Sequence, residues 1–313
     1  MFNTLPDIVR KESIQSLFQT KTFRNCWNTW QPEINRLLGA HYTETDLLNL
    51  GDHLSSIFRT TGNAGREQGD LSGGGTAWES LVCWYINLCT VGSRVVALKK
   101  MSLVPTPIQD AITINYGNFS CNTESDITII VFPDIPEYNI AMDELAVLDV
   151  NNIQIPNLRK DKINIKLLNH LATRDFQHYE IGIIQCKTNW NDNAQIPMLW
   201  DMIYSAGGFR GRNITIGKNA FSIQNASNFT YSFVTVPTNT RSPHKSESVS
   251  VKRVTNLSGG NFWGKISVPN VARSIKEIFN NNFQSGCRIN LREDIRAAIE
   301  HLDERNALGY FRL

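Results

Sequence analysis

From Ser80 to Ser93 the chain carries no charged residue, and that absence constrains the fold more than any other stretch. The run "TAWESLVCWYINLC" reads as a helix with Thr76 as its candidate N-cap. A helix with no charge on any side has no face suited to water, so both of its faces must be covered. It therefore belongs between layers of a sizeable core. With 313 residues, 41% of them hydrophobic and 19% charged, the chain has enough apolar material for that.

The rest of the pattern supplies the layers. Residues 1 to about 60 show helical apolar spacing at Ile14, Leu17 and Phe18, then at Leu47, Leu48, Leu54, Ile57 and Phe58. After the uncharged helix come strand-like runs, "SRVVAL", "DAITINY" and "SDITIIVF", and later "EIGIIQCK" and "FTYSFVTVP". Helical "AQIPMLWDMIYSA" lies between the last two. "VARSIKEIFNNNF" and "REDIRAAIEHLDER" make a helical end. These alternations predict an α/β chain with a mixed central sheet flanked by helices. A single domain over 1–313 is expected, with a helical N-terminal lobe (1–70) and a core (76–236). Within the core, 133–175 is read as an insertion with a short helix near Ile165 to Leu171. A polar, basic loop from Thr238 to Arg253 opens the C-terminal part (238–313).

Several function classes find no support. No C-x-x-C pair or zinc-like spacing of Cys and His occurs, and the six Cys read as reduced thiols. The start "MFNTLPDIVRKE" has no apolar signal stretch, and no apolar run is long enough to cross a bilayer. A cytoplasmic protein without a membrane is expected. Neither Gly-Lys-Ser/Thr nor G-x-S-x-G is present, and the glycines Gly73 to Gly75 are expected to form a hinge rather than a phosphate cradle. The net charge of +2 is silent about nucleic acid, since a basic cleft can hide in a balanced total. Basic residues bunch at Arg94–Lys100, Arg159–Lys166, Arg210–Lys218 and Arg241–Arg253, each read as a solvated face.

Three polar positions sit oddly in apolar surroundings. Glu79 shares a helix face with Val82, Cys83 and Ile86, where a carboxylate is costly unless paired or bound to metal. The helix dipole also favours an acid in a first turn. Asp126 opens a β-branched strand, as a turn former or as a ligand. Gln185 and Lys187 share one face of the strand "IGIIQCK", and Cys186 faces the other way. Such an end suits either a snorkelling Lys or a site.

Together, Asp126, the Gln185-x-Lys187 pair and the helix Glu79 resemble the PD-(D/E)XK nuclease superfamily. "LSGGGTAWESLVCWYINLC" and "NFWGKISVPNVARSIKEIFNNNF" look like segments of type II restriction endonucleases. The chain departs from the pattern with Ser125 where a Pro is expected and Gln185 where a Glu is expected. An amide oxygen can still ligate a hard cation. The resemblance implies a restriction-endonuclease-like fold and a Mg²⁺-dependent, sequence-specific double-stranded DNA endonuclease. Asp126, Gln185, Glu79 and the Cys186 backbone carbonyl would hold the metal, with Lys187 beside the scissile phosphate. It further implies a homodimer on palindromic DNA and a cognate DNA methyltransferase in the same prokaryotic system. Base or backbone contacts are expected from Arg210 and Arg212, and from Arg241, His244, Lys245, Lys252 and Arg253. The alternatives are a repair or structure-specific nuclease of the same fold and a catalytically silent DNA-binding protein.

Overall fold

Three helices open the chain: α1 (Leu5–Gln19), α2 (Lys21–Leu38) and α3 (Glu44–Thr60). Capping boxes start two of them. Asp7 accepts the Thr4 N–H, and Asp46 accepts the Thr43 N–H at 2.8 Å. α2 stops at Gly39, whose φ of 73° suits a residue without Cβ. Phe23, Trp27 and Trp30 on α2 stack with Phe18 and with Trp84 of the long helix α4 (Leu71–Cys89), the Trp27–Trp84 ring centroids being 4.9 Å apart. The structure is a computed structural model. It describes residues 3–61, 71–122, 125–188, 195–206, 208–209, 213–236, 244–265, 270–300 and 309–313.

The uncharged run is buried on all sides, as expected: from Leu81 to Cys89 the hydrophobic side chains of α4 are fully covered. Thr76 is not its N-cap, however. The helix begins at Leu71, and the Thr76 carbonyl accepts the Ser80 hydroxyl inside it. Gly73 to Gly75 are therefore helical residues and not a hinge, a conformation open to Gly at a cost of about 1 kcal/mol each.

Next come β1 (Val95–Leu98), α5 (Thr106–Ala111), β2 (Ile114–Tyr116), β3 (Phe119–Cys121) and β4 (Ile127–Val131). They are followed by α6 (Pro136–Asn139), the hairpin β5 (Leu158–Arg159) and β6 (Lys162–Ile163), α7 (Ile165–Arg174) and β7 (Glu180–Lys187). The second half holds α8 (Gln195–Ser205), β8 (Gly208–Phe209), β9 (Ile214–Ile216) and β10 (Asn228–Thr235). Then come α9 (Val249–Thr255), β11 (Gly260–Trp263), β12 (Arg273–Ser274), α10 (Ile278–Asn281) and α11 (Leu291–Glu300). The central sheet has the order β1-β4-β7-β10-β11-β12. It is antiparallel from β1 to β7 and parallel from β7 onward, so the fold is mixed α/β with a helix-flanked mixed sheet. A smaller antiparallel sheet has the order β3-β2-β9-β8.

Each face of the central sheet has its own core. α4, α2 and α3 cover the face bearing Ile127, Ile129, Ile184 and Cys186. α5, α7, α8 and α9 cover the face bearing Ile130, Ile181, Ile183 and Tyr231. Burial on both faces explains why "IGIIQC" shows no polar alternation. Gly182 in this strand is required by close packing, since a Cβ there would lie 2.5 Å from the Phe283 ring. The outer edge at β1 is sealed by side chains instead of a further strand. Arg10 donates to the Ser93 and Val95 carbonyls, Ser13 to the Ala97 carbonyl, and Asn87 both donates to Ala97 O and accepts Ala97 N–H.

Other expectations need correction. The segment 133–175, read as an insertion, carries the expected helix and also supplies core: Tyr138, Met142, Leu145, Leu167 and Leu171 belong to one of the two cores. Asp110 and Ala111 of "DAITINY" end α5 rather than start a strand. Within the expected basic loop 238–253, residues 249–253 lie on α9. "VARSIKEIFNNNF" begins with the short strand β12 before turning helical. The Arg94–Lys100 run is no solvated face, because Arg94 is buried and donates to the Phe132 and Ser285 carbonyls.

Candidate functional site

β4 and β7 pair antiparallel with Ile127 opposite Ile184, which brings Asp126 alongside the end of β7. There the Asp126 Oδ2 accepts the Cys186 N–H at 2.7 Å. Ser125 places its hydroxyl 2.8 Å from that of Thr128 and so ties down the strand entry. Lys187 closes β7 with a half-buried side chain, and its carbonyl accepts the Val236 N–H at 3.2 Å.

Gln185 is buried at 1% exposure on the face away from α4. Its Oε1 accepts the Tyr231 hydroxyl at 2.9 Å from the adjacent strand β10. Glu79 approaches from the other face and pairs with Lys99 at 2.7 Å, both side chains being about four-fifths buried. Glu79 and Gln185 thus flank the sheet and share only its edge. The reason is the alternation of strand side chains, which turns Cys186, not Gln185, toward α4.

Charge does converge on that edge. Burial first, and then the negative charges of Asp126 and Glu79, push the Cys186 thiol well above its ordinary range, while Lys99 and Lys187 act in the opposite sense. Four charged groups from α4, the entry to β4, the end of β7 and the turn after β1 therefore act on one sulfur at the strand end. The thiol stays protonated and inert. Of the four candidate ligands, the Gln185 oxygen lies on the other face against Tyr231 and Glu79 is paired with Lys99, so Asp126 and the Cys186 carbonyl are the hard oxygens left for a Mg²⁺ at this edge. Among the described residues no group of three or more His, Cys, Asp or Glu could hold a metal. The amide and carbonyl lie outside those types.

Lys99 and Tyr231 were missed in the sequence. Lys99 was hidden in a basic run, although its place directly after a strand that follows the Glu79 helix was a usable sign. Tyr231 gave none, because the register that sets Tyr231 beside Ile183 is a tertiary fact. Of the expected DNA contacts, Arg210, Arg212 and Arg241 lie outside the described residues. His244 stands edge-on to Trp263, with ring centroids 5.3 Å apart. Lys245 is exposed, its backbone N–H donating to Ser248 Oγ at 3.1 Å. Lys252 is exposed and Arg253 half-buried, both on α9 and not on a loop. No family model and no curated protein matches this chain.

Proposed function

We propose that the chain is a Mg²⁺-dependent double-stranded DNA endonuclease of the PD-(D/E)XK type, acting as a homodimeric type II restriction enzyme beside a cognate methyltransferase. The observation that carries this reading is Asp126 held at 2.7 Å against the backbone of Cys186, one residue before Lys187, at the ends of paired strands. The order α4, β1, β4, β7, α8, β10, with the last two strands parallel, supports it as the helix–strand frame such a site needs.

In this reading Asp126 and the Cys186 carbonyl would hold the metal, with Gln185 and Glu79 at its margins. Bound Mg²⁺ supplies Lewis acidity toward the phosphoryl oxygen and lowers the pKa of its water. The Lys187 ammonium orients the attacking water and offsets charge developing on the phosphoryl oxygens. Lys99 pairs with the Glu79 carboxylate at 2.7 Å and fixes it in a mostly buried setting.

One observation favours the catalytically silent alternative. The Gln185 amide oxygen is already engaged by Tyr231 and buried, as in a structural strand. Plasmid DNA incubated with the protein and Mg²⁺, or with EDTA, separates the readings. Discrete Mg²⁺-dependent fragments support restriction, and nicking or smearing supports a repair nuclease. A gel shift without cleavage removes the catalytic claim.

A further inference from the structure

β5 and β6 form a tight hairpin, with Leu158 opposite Ile163 and Arg159 opposite Lys162. Its base is pinned. The Asn164 side chain donates to the Pro156 carbonyl at 2.7 Å, and the Asn164 backbone N–H to the Asn157 carbonyl at 3.0 Å. The Ile163 N–H donates to the Glu12 carboxylate of α1, and the Ile163 side chain is buried in the core. Opposed residues of a hairpin share a face and successive residues alternate. Arg159 and Lys162 therefore sit together on the face turned away from Ile163 and that core.

The tip is built against local preference. Like charges directly opposite each other destabilise a strand pair. The turn residues Lys160 and Asp161 both have positive φ, 51° and 61°, the geometry of a turn that Asn-Gly adopts with less strain. Arg159, Lys160, Lys162 and the nearby Lys166 are exposed, and among the described residues none of the four is in an ion pair. Asp161 is the one acid from Leu158 to Lys166, so four cations stand there with one carboxylate. A polyanion laid across the tip turns the repulsion between Arg159 and Lys162 into a shared attraction.

We infer that the β5–β6 hairpin lays Arg159, Lys160 and Lys162 on backbone phosphates of double-stranded DNA flanking the cleavage site. The inference rests on the nuclease reading for the choice of DNA as the polyanion. An anionic lipid surface would draw on apolar side chains as well, and Leu158 shares the inner face with Ile163. Glu12 stands between Arg10, which bonds Val95 O, and Ser13, which bonds Ala97 O, so the hairpin base is level with Val96. Val96 is opposite Ile130, and Ile130 is opposite Ile181, further back along β7 from Lys187. From Ile181 to Lys187 is about 20 Å along the strand, and two strand spacings plus the width of α1 make about 20 Å across. The hairpin is then about 30 Å from Lys187, or about nine base pairs at about 3.4 Å each, beyond the bases next to the cut. Such a contact sets register and contributes affinity without reading sequence.

The test is fluorescence anisotropy with two labelled duplexes of unrelated sequence, each about 40 base pairs so that the flanks are present, in EDTA, across a salt series. The proteins are the full-length parent, the neutral pair Arg159→Gln with Lys162→Gln, and the exchanged pair Arg159→Lys with Lys162→Arg. Loss of two phosphate contacts makes the slope of log affinity against log salt shallower by about 1.8 per protomer. That change in the neutral pair, equal on both duplexes and absent in the exchanged pair, with a melting temperature no lower than the parent's, supports the contact. An unchanged slope in a folded neutral pair overturns it and leaves the nuclease reading intact. A change confined to one duplex also overturns it, because it marks base reading. A parent that binds DNA with this dependence but never cuts plasmid with Mg²⁺ sinks the nuclease reading and keeps the contact. A parent that binds neither duplex, or binds anionic lipid vesicles instead, overturns the contact.

Discussion

Asp126 and Cys186 are joined side chain to backbone: Asp126 Oδ2 accepts the Cys186 N–H at 2.7 Å and so holds a carboxylate at the end of β7, one residue from Lys187. An Asn at 126 can accept the same N–H through its amide oxygen but brings no charge. Asp126→Asn is therefore expected to lower Mg²⁺-dependent DNA cleavage at least about 100-fold. Its folding stability should change by only about 1 kcal/mol, since one charge-assisted hydrogen bond becomes a neutral one. Cleavage rate and urea denaturation read the two effects separately. A rate equal to the parent's would show that the carboxylate serves the strand end and not a reaction.

Gln185→Glu asks whether the amide stands in for a ligand. Gln185 is buried with its oxygen on Tyr231, so a glutamate there keeps an acceptor but buries a charge. Burial raises the folded-state pKa of such a carboxyl above its unfolded value. Its protonated form then favours the fold below the unfolded pKa of about 4.3, and that gain is lost as pH rises through the higher folded value. The variant should melt lower than the parent at pH 8 and recover toward it at pH 5. If the position ligates metal, Mg²⁺ should restore stability at pH 8. Melting curves with and without Mg²⁺ that superimpose would assign Gln185 a structural role alone.

How much of this was legible follows from the kind of signal each residue carries. The uncharged helix and the strands around Ile129 and Ile183 were readable, because burial on both faces writes itself as unbroken apolar sequence. Asp126, Gln185 and Lys187 stood out as polar residues at the ends of such runs. The facing of Glu79 and Gln185 was not readable. It depends on which side of the sheet α4 packs, and that is set by α1 to α3 covering its other side. β11 was missed because "GNFW" is too short and too close to glycine to show a period. With it went Trp263, whose relation to Lys187 exists only through two strand registers.

The sealed edge of the sheet gives a stability prediction. The Arg10 guanidinium is fully buried, donating to Asp7 Oδ1 at 2.7 Å, Ser93 O at 2.7 Å and Val95 O at 2.9 Å. Arg10→Met fills similar volume but strands the Asp7 carboxylate and two edge carbonyls. Removing one partner of a buried pair costs about 3–5 kcal/mol. The double variant Arg10→Met, Asp7→Asn should recover part of that cost, because no uncompensated charge remains. Urea denaturation of both variants measures it. Equal losses in the two would place the cost in the carbonyls and not in the charge.

His244 offers a titration at the opposite end of the same sheet. Packing around its ring, which stands edge-on to Trp263, and secondarily the charge of Lys265 lower its pKa below the ordinary 6.5. A histidine whose folded pKa is depressed favours the fold in its neutral form. That contribution is complete above the unfolded value of about 6.5 and is lost as pH falls through the lower folded one. The His244 ring signals in an NMR titration should accordingly move below pH 6.5, identified by their absence in His244→Asn. Lys265→Gln should shift the midpoint upward by removing the like charge, though not back to 6.5, because burial is the larger cause. A midpoint indifferent to Lys265→Gln would mean that burial alone sets it and that the two side chains are electrically independent.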